Sequence, residues 1–189
     1  MEKNAAILEG NGLKPSGGGG DERGTAEKKH AISLYVANKP GVLIRIALVF
    51  ARRGYNIDSL VVSKAHDPSF SRMNIEASGN TKTLSQILSQ LNKLVDIVNA
   101  KDNDFEDVVT RELALLKVTC PPERRAEVLQ VAQAFECETV DVTQETITLQ
   151  VSGDTNKLDS VHAVFDAYGV LEMVRSGKII ISRGKEPTS

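Results

Sequence analysis

The residues best suited to chemistry lie in the segment Asn38-Lys39-Pro40-Gly41, between a strand-like stretch and an apolar, helix-like stretch. Pro40 ends the strand because it has no N–H to donate, and Gly41 permits a tight turn into the helix. The first turn of a helix has backbone N–H groups without intrahelical partners, and such groups bind small anions. The segment therefore predicts a carboxylate site; the alternative is a plain strand-to-helix turn in which Asn38 caps the local backbone.

Other groups near this turn suit a small zwitterion. Backbone N–H groups at Gly41, Val42 and Leu43 can hold a carboxylate, and the Asn38 side-chain oxygen can accept a hydrogen bond from an ammonium group. Neighbouring apolar side chains can contact an aliphatic group. We therefore predict a site for a small zwitterionic ligand with an aliphatic side chain.

Few other residues suggest chemistry. The histidines His30, His66 and His162 fall in separate predicted elements and in no metal or nucleophile motif. Cys120 and Cys137 have no second Cys or His at metal-ligand spacing, so we predict no metal site and interpret both as small hydrophobes or unreactive thiols. No dinucleotide-binding motif, P-loop or carboxylate pair stands out. We do not expect an enzyme.

The composition limits the possible functions. With 189 residues, of which 41% are hydrophobic, the chain can form one ordinary domain or two small ones. A formal charge of −2 and a pI near 6.0 provide no basic surface of the kind that binds phosphate backbones, so no nucleic-acid partner is expected. No apolar run reaches the ~18 residues of a membrane helix, and no secretion signal is apparent. We expect no membrane association and an intracellular location.

The elements that position the turn occur twice in the same order. Residues 1–29 contain a glycine run and few large aliphatic residues, so we predict a flexible tail or linker there. Residues 30–104 and 105–189 each predict strand, helix, strand, strand, helix, strand. The halves share similar residues before their second helix: Ser78-Gly79-Asn80-Thr81-Lys82 and Ser152-Gly153-Asp154-Thr155-Asn156-Lys157. We therefore predict an α+β fold of two ferredoxin-like βαββαβ units.

The first predicted helix has apolar residues on two sides. Helical spacing predicts a core face of Leu43, Ile46, Ala47 and Phe50, with Ile44 and Leu48 on nearly the opposite side. Isolated surface aliphatics are common, but the pair also fits a subunit interface. An uncovered sheet face or edge strand favours association as well, so we expect an oligomer. The remaining predicted boundaries are a helix over 41–53, a strand over 72–78, a strand over 97–100, a polar connector over 101–104, a strand over 113–119 and a last strand over 179–182. In the first strand, Ile32, Leu34 and Val36 alternate with Ser33, Tyr35 and Ala37, which predicts burial of one face.

Several segments together resemble one family, the regulatory small subunit of acetohydroxyacid (acetolactate) synthase. The resemblance covers about residues 30–184 and follows the order of that family's pattern. The matching segments are Asn38-Lys39-Pro40-Gly41-Val42-Leu43, Phe50-Ala51-Arg52-Arg53-Gly54-Tyr55-Asn56-Ile57-Asp58-Ser59-Leu60, Ser71-Arg72-Met73, Lys93-Leu94-Val95-Asp96, Arg111-Glu112-Leu113-Ala114-Leu115-Leu116-Lys117-Val118, Val140-Asp141-Val142, Lys157-Leu158-Asp159 and Arg175-Ser176-Gly177.

The resemblance implies that residues 30–104 form an ACT domain for effector binding and dimerisation, and that residues 105–189 form a second ferredoxin-like domain. It implies a homodimer without catalytic activity that binds and activates a large catalytic subunit. It also implies feedback inhibition by valine, leucine or both. Thiamine diphosphate, Mg and FAD would belong to the catalytic partner. The resemblance places the effector at Asn38, Gly41 and Asn56. With their neighbours, the predicted effector-binding residues are Asn38, Lys39, Pro40, Gly41, Val42, Leu43, Asn56 and Ile57, and the predicted dimer interface contains Ile44 and Leu48.

The resemblance has two further implications. Plant members carry two such modules in tandem, and the segment Thr146-Ile147-Thr148-Leu149-Gln150 resembles the plant and algal branch. The chain would then be one module of a longer protein of the plastid stroma; otherwise the expected location is the cytoplasm.

Two alternative functions share the predicted fold. An ACT-domain sensor that regulates a different enzyme fits the first half equally well but explains the second half poorly. A ferredoxin-like RNA binder would need aromatic residues on its central strands, and Tyr35 is the only one predicted near such a position.

Overall fold

The computed structural model describes residues 28–189, and the predicted tail lies almost wholly outside these residues. The first half forms a four-stranded antiparallel sheet with the order β2-β3-β1-β4. Two helices cover one of its faces. The elements are β1 (Lys28–Ala37), α1 (Val42–Ala51), β2 (Asn56–Lys64), β3 (Phe70–Gly79), α2 (Thr81–Leu91) and β4 (Ile97–Asn103).

The second half repeats this arrangement with the strand order β6-β7-β5-β8, and a further strand pairs with β5. Both halves are therefore βαββαβ units, which confirms the predicted α+β fold class. The elements are β5 (Val108–Thr119), a 3-10 turn (Pro122–Arg124), α3 (Arg125–Ala134), β6 (Glu138–Val142), β7 (Thr146–Gly153), α4 (Thr155–Asp166), β8 (Val170–Arg175) and β9 (Ile179–Ser182).

Each sheet has its own hydrophobic core. Ile32, Leu34 and Val36 alternate along β1 and are completely buried beneath α1 and α2, as their spacing predicts. In the second unit, Leu116 of β5 packs beneath α4 around the buried ring of Phe165. The two cores are separate, so each sheet is stabilised mainly by its own pair of helices.

The predicted core face of α1 is partly wrong. Val42, Ile46, Val49 and Phe50 are the buried residues of this helix, whereas Leu43 is 41% exposed. Ala47 is also only partly buried. The four buried residues are the first, fifth, eighth and ninth residues of the helix. The reason is the helix start at Val42, which fixes the rotation of all later side chains relative to the sheet.

The predicted last strand over 179–182 is confirmed, but it is not the fourth strand of the second sheet. Val170–Arg175, which was not predicted as a strand, fills the fourth position of the second sheet, and Ile179–Ser182 is an additional strand. Both pair antiparallel with β5, one with its second half and one with its first four residues. Together they form a single strand interrupted at residues 176–178. The apolar residues after Gly169 were a usable sign of β8, since they follow a helix end directly.

Two strands are longer than predicted because they pair across more residues. β4 extends through Asn103, so most of the predicted connector over 101–104 belongs to the sheet. β5 begins at Val108 instead of residue 113, because its first four residues pair with β9. These four residues and β9 form a two-stranded ribbon that reaches the uncovered face of the first sheet. There, Ala31, Val108 and Ile180 make a small buried cluster.

The shared sequence of the two halves has a structural explanation. It places a helix N-cap directly after a strand-ending glycine in each unit: Asn80 Oδ1 accepts from the Lys82 N–H at 2.7 Å, and Asp154 Oδ1 accepts from the Lys157 N–H at 2.8 Å. A side-chain cap satisfies a helix-terminal donor that otherwise has no intrahelical partner. The shared residues therefore mark an equivalent helix start in each unit.

We expect Asp154→Ala to lower the free energy of unfolding by about 1 kcal/mol, because the capping acceptor of α4 is lost. Asp166→Ala, at the C-terminal end of the same helix, is the matched control. It removes an equal charge without removing a cap and should change stability by less than about 0.5 kcal/mol. Urea unfolding followed by circular dichroism measures both variants. Equal effects would show that the Asp154 hydrogen bond does not stabilise the helix.

Candidate functional site

The turn before α1 has a backbone conformation that favours glycine. Gly41 has φ 83° and ψ −9°, in the left-handed region, and occupies the N-cap position without a side-chain cap. The Val42 N–H points back to the Lys39 carbonyl at 3.4 Å, as in a type II turn with Pro40 and Gly41 at its centre. Val42 is therefore a weaker carboxylate donor than its position suggested. Within residues 28–189, no protein acceptor is described for the N–H groups of Gly41 and Leu43.

Asn38 connects this turn to the hairpin between β2 and β3. Its side-chain Nδ2 donates to the Pro68 carbonyl at 2.9 Å, and its backbone N–H donates to the Ser69 carbonyl at 2.8 Å. The amide nitrogen is thus engaged, and the side chain is exposed. This orientation leaves Oδ1 as the group that can accept a hydrogen bond from a ligand, as predicted for an ammonium group.

Arg45 places a cationic group beside the turn, and the sequence reasoning missed this residue. A Cβ added to Gly41 would lie 3.4 Å from the Arg45 Nη1, so the guanidinium lies beside the helix start. Its Nη2 donates to the Asp96 carboxylate at 2.6 Å, which holds it there. The spacing of four residues from Gly41 could have indicated this contact, because side chains one helical turn apart are neighbours.

Asn56 lies far from Asn38 in the same chain. Along the sheet, Asn56 is opposite Ser78, which is opposite Lys29, whereas Asn38 directly follows the other end of β1. Eight or nine residues of extended strand separate the two positions, or roughly 25–30 Å at ~3.3 Å per residue. The structure therefore does not bring them together within one chain. Ile57, beside Asn56, is half-buried against the first core.

The side of the first unit formed by α1 and β2 is apolar. Ile44 and Leu48 project outward from α1, and Ile44 is 65% exposed. The exposed Leu60 and Val62 of β2 lie opposite the buried Ile75 and Met73, so they share the helix-covered face of the sheet. β2 is also an edge strand with unpaired backbone groups. We call the strip of Ile44, Leu48, Leu60 and Val62 the α1–β2 edge.

The remaining reactive residues do not gather into a second site. His30 is buried with its Nδ1 3.0 Å from the Asp102 carboxylate, whereas His66 and His162 are exposed elsewhere. Cys120 is buried and unbonded, and burial raises the pKa of the Cys137 thiol, which leaves it mostly protonated. Between residues 28 and 189, no three potential metal ligands cluster, and no helix is long and apolar enough to cross a membrane.

Tyr35 has an aromatic neighbour that the sequence reasoning missed. β3 begins at Phe70, two residues earlier than predicted, and the Phe70 ring stacks on Tyr35 at 4.9 Å between centroids. The Arg72 guanidinium lies 5.3 Å from the centre of the Tyr35 ring. The description of Tyr35 as a lone strand aromatic is therefore wrong. The predicted absence of a nucleic-acid partner stays a prediction.

Comparison with known proteins identifies the class and then the family. Residues 32–99 match the family model described as the AHAS small subunit-like ACT domain, so the first unit belongs to an ACT-domain protein. Residues 111–184 match the model described as the small subunit of acetolactate synthase. The chain belongs to the acetolactate synthase small-subunit family.

Individual relatives support this assignment across both units. The chain is 39% identical to a probable acetolactate synthase small subunit of Archaeoglobus fulgidus, over 84% of this chain and 99% of that protein. It is 40% identical to the acetolactate synthase small subunit of Aquifex aeolicus, over 82% of each chain. The crystal structure of the acetolactate synthase small subunit from Thermotoga maritima superposes with a TM-score of 0.77 at 34% identity, over 84% of this chain and 99% of that one.

Proposed function

We propose that this protein is a non-catalytic regulatory subunit of acetohydroxyacid (acetolactate) synthase. It binds and activates the large, thiamine-diphosphate-dependent catalytic subunit and confers feedback inhibition by valine, leucine or both. The family match across both units is the observation that carries this proposal. We assign thiamine diphosphate, Mg and FAD to the catalytic partner. The proposed location is the cytoplasm, or the plastid stroma for a plant or algal chain.

The turn before α1 supports an amino-acid effector. The free N–H groups of the first helical turn and the nearby Arg45 guanidinium both favour a carboxylate. The Asn38 Oδ1 can accept from the effector's ammonium group, since its amide nitrogen already binds Pro68. The exposed Leu43 begins an apolar surface that continues into the α1–β2 edge and suits a branched aliphatic side chain.

The separation of Asn38 and Asn56 supports a pocket built from two chains. β2 begins at Asn56 and ends at Lys64, and Lys64 lies opposite Ser71, close to the Asn38 end of the sheet. If two copies pair their β2 edges antiparallel about a two-fold axis, Asn56 of the partner subunit meets the Asn38 end of the first copy. The apolar α1–β2 edges would be buried in the same contact. One dimer would thus contain two equivalent pockets.

The alternative of an ACT-domain sensor for a different enzyme loses support from the second unit. Residues 111–184 match the small subunit of acetolactate synthase, so the whole chain follows one family and not the ACT domain alone. Co-purification with a large thiamine-diphosphate enzyme distinguishes the two functions.

We expect Gly41→Asp to abolish effector inhibition while the subunit still activates the catalytic subunit. The new carboxylate would occupy the place of the effector's carboxylate and repel it. The measurement is activity of the reconstituted enzyme across a titration of valine and of leucine. The effector concentration for half inhibition should rise by at least about tenfold, or ~1.4 kcal/mol.

Gly41→Asn is the matched control for this change. Asn also tolerates the left-handed conformation and has almost the same shape, but it has no charge. It should impair inhibition less than Asp does. Unchanged inhibition in Gly41→Asp, at a melting temperature like that of the wild type, would contradict the proposed site.

Mixed dimers test whether residues from both subunits form one pocket. Gly41→Asp and Asn56→Ala dimers should each lose effector binding in calorimetry. In a hybrid of the two chains, one pocket has both substitutions and the other has neither, so binding returns at that pocket. After random exchange of equal amounts, about a quarter of wild-type sites should be recovered, since about half of the dimers are hybrids. No recovery, with exchange verified by mass spectrometry, would contradict a shared pocket.

We expect Ile44→Glu to weaken the dimer, because a carboxylate at the α1–β2 edge would be buried without a partner charge. The dimer dissociation constant in analytical ultracentrifugation should rise by at least about tenfold. Val98→Glu, at an exposed position of β4 on the opposite edge of the first sheet from β2, is the control and should leave the constant unchanged. Equal dissociation constants for all three proteins would place the dimer contact elsewhere.

A further inference from the structure

The second unit contacts β2 through the short segment Ser176-Gly177-Lys178 between β8 and β9. A Cβ added to Gly177 would lie 2.5 Å from the Ser59 Oγ and 2.8 Å from the Val61 Cγ2, so only a glycine allows this approach. The segment is also fixed to its own unit, since the Ser176 N–H donates to the Leu113 carbonyl at 2.9 Å. It therefore joins β5 firmly to the strand that carries Asn56.

Lys178 adds a buried ion pair to this contact. Its Nζ lies 2.5 Å from the Glu76 Oε1, and only 13% and 11% of the two side chains are exposed. The ammonium group also lies 5.6 Å from the centre of the Phe105 ring, in the segment between the units. Elsewhere in residues 28–189, the described ion pairs each lie within one unit. Because an unpaired buried charge is strongly unfavourable, Lys178 and Glu76 constrain each other's position.

The same contact lies beside the proposed effector residue. Glu76 is directly opposite Ser59 in the β2–β3 ladder, and the ladder is irregular at Asp58, between Asn56 and Ser59. The Asp58 carboxylate accepts from the Asn56 Nδ2 at 2.9 Å and from the Ser78 Oγ at 2.6 Å. Asp58 therefore lies between the Asn56 amide, which it binds, and Ser59, against which Gly177 packs.

Asp58 and Lys178 also face a common cleft. This cleft lies between the two units, has a volume of about 290 Å³, and is lined by three cations and three carboxylates. The lining charges are Lys29, Arg175, Lys178, Asp58, Glu76 and Glu112. Arg175 is already paired with Glu112 and Asp159. Lys29 and Lys178 are the other lining cations, and Lys178 is the one paired with Glu76 in the cleft that Asp58 also lines.

We propose that Lys178 is a positioning residue that couples effector binding at Asn56 to the placement of the second unit. An effector that takes the Asn56 amide withdraws it from Asp58, and the freed carboxylate then competes with Glu76 for the Lys178 ammonium group. A change of partner moves the segment 176–178 and, through it, β5 and β9. This inference rests on the proposed function, because it takes Asn56 as the effector contact.

The test uses the full chain reconstituted with the catalytic subunit. Lys178→Met keeps an apolar stem without the charge, and Lys178→Arg keeps the charge. Lys117→Met is the matched control, since the Lys117–Glu172 pair is exposed and lies within the second sheet at 3.7 Å. For each variant we would measure valine and leucine affinity by calorimetry, the concentration for half inhibition, and the melting temperature.

We expect Lys178→Met to bind the effector within about threefold of the wild type but to need at least about fivefold more for half inhibition, at the lower end of typical allosteric coupling. Lys178→Arg and Lys117→Met should behave like the wild type. A charge exchange, Glu76→Lys with Lys178→Glu, should restore inhibition at least partly because it rebuilds the pair.

Three outcomes would overturn the inference, and they are distinguishable. If Lys178→Met is inhibited like the wild type, the ion pair does not couple the sites. If Lys178→Met loses affinity together with thermal stability, Lys178 has only a structural role. If the wild type itself neither binds valine or leucine nor is inhibited by them, the proposed function fails and the inference fails with it.

Discussion

The left-handed backbone at Gly41 is the constraint on which the first unit depends. At φ 83°, it completes the turn that follows β1 and starts α1 at Val42, and this start sets the rotation of the whole helix. With that rotation, Ile46 and Phe50 point into the core and Ile44 points away from it. The same residue leaves the first helical N–H groups uncovered by a side chain. The candidate anion-binding turn and the apolar α1–β2 edge therefore depend on the same backbone conformation.

The strand order of the first sheet places β2 at an edge beside α1. β1 and β3 are central, so β2 remains an edge, and α1 lies beside it. An edge strand flanked by exposed aliphatic residues is unfavourable in an isolated chain. The proposed symmetric dimer would bury this edge and, in the same step, bring two remote polar positions, Asn38 and Asn56, together. In that proposed dimer, burial of the edge and completion of the pocket favour the same arrangement, so ligand binding and association would be interdependent.

Much of the fold could be predicted because local patterns agree with the final packing. The alternation of Ile32, Leu34 and Val36 indicated a strand buried on one face, and the repeated N-cap segments indicated two equivalent units. The errors arise where pairing partners are distant in sequence. Neither the extension of β4 nor that of β5 can be recognised until β1 and β9 are known to lie beside them, since hydrophobic periodicity describes a face and not a partner.

The candidate site was predictable to a similar extent and for the same reason. The turn residues are contiguous, and the glycine requirement appears directly in the sequence. By contrast, the contact of Asn38 with Pro68 and that of Arg45 with Asp96 join segments 30 and 51 residues apart. Such contacts depend on the sheet register, which a single sequence specifies only indirectly. The contact with Pro68 shows that the Asn38 amide nitrogen caps no local backbone group, and the role of Asn38 as a ligand contact stays a prediction.

The second unit changes the role of the uncovered sheet face. In a lone βαββαβ unit this face would need a partner, but here the ribbon of β5 and β9 covers part of it with the Val108 and Ile180 side chains. One face is thus partly covered within the chain, whereas the α1–β2 edge stays exposed. Because β5 belongs to both the ribbon and the second sheet, the two units cannot move independently at this contact. A change at β2 must therefore be accommodated either within the first sheet or by displacement of β5. The buried Lys178–Glu76 pair joins the first sheet to the segment between β8 and β9.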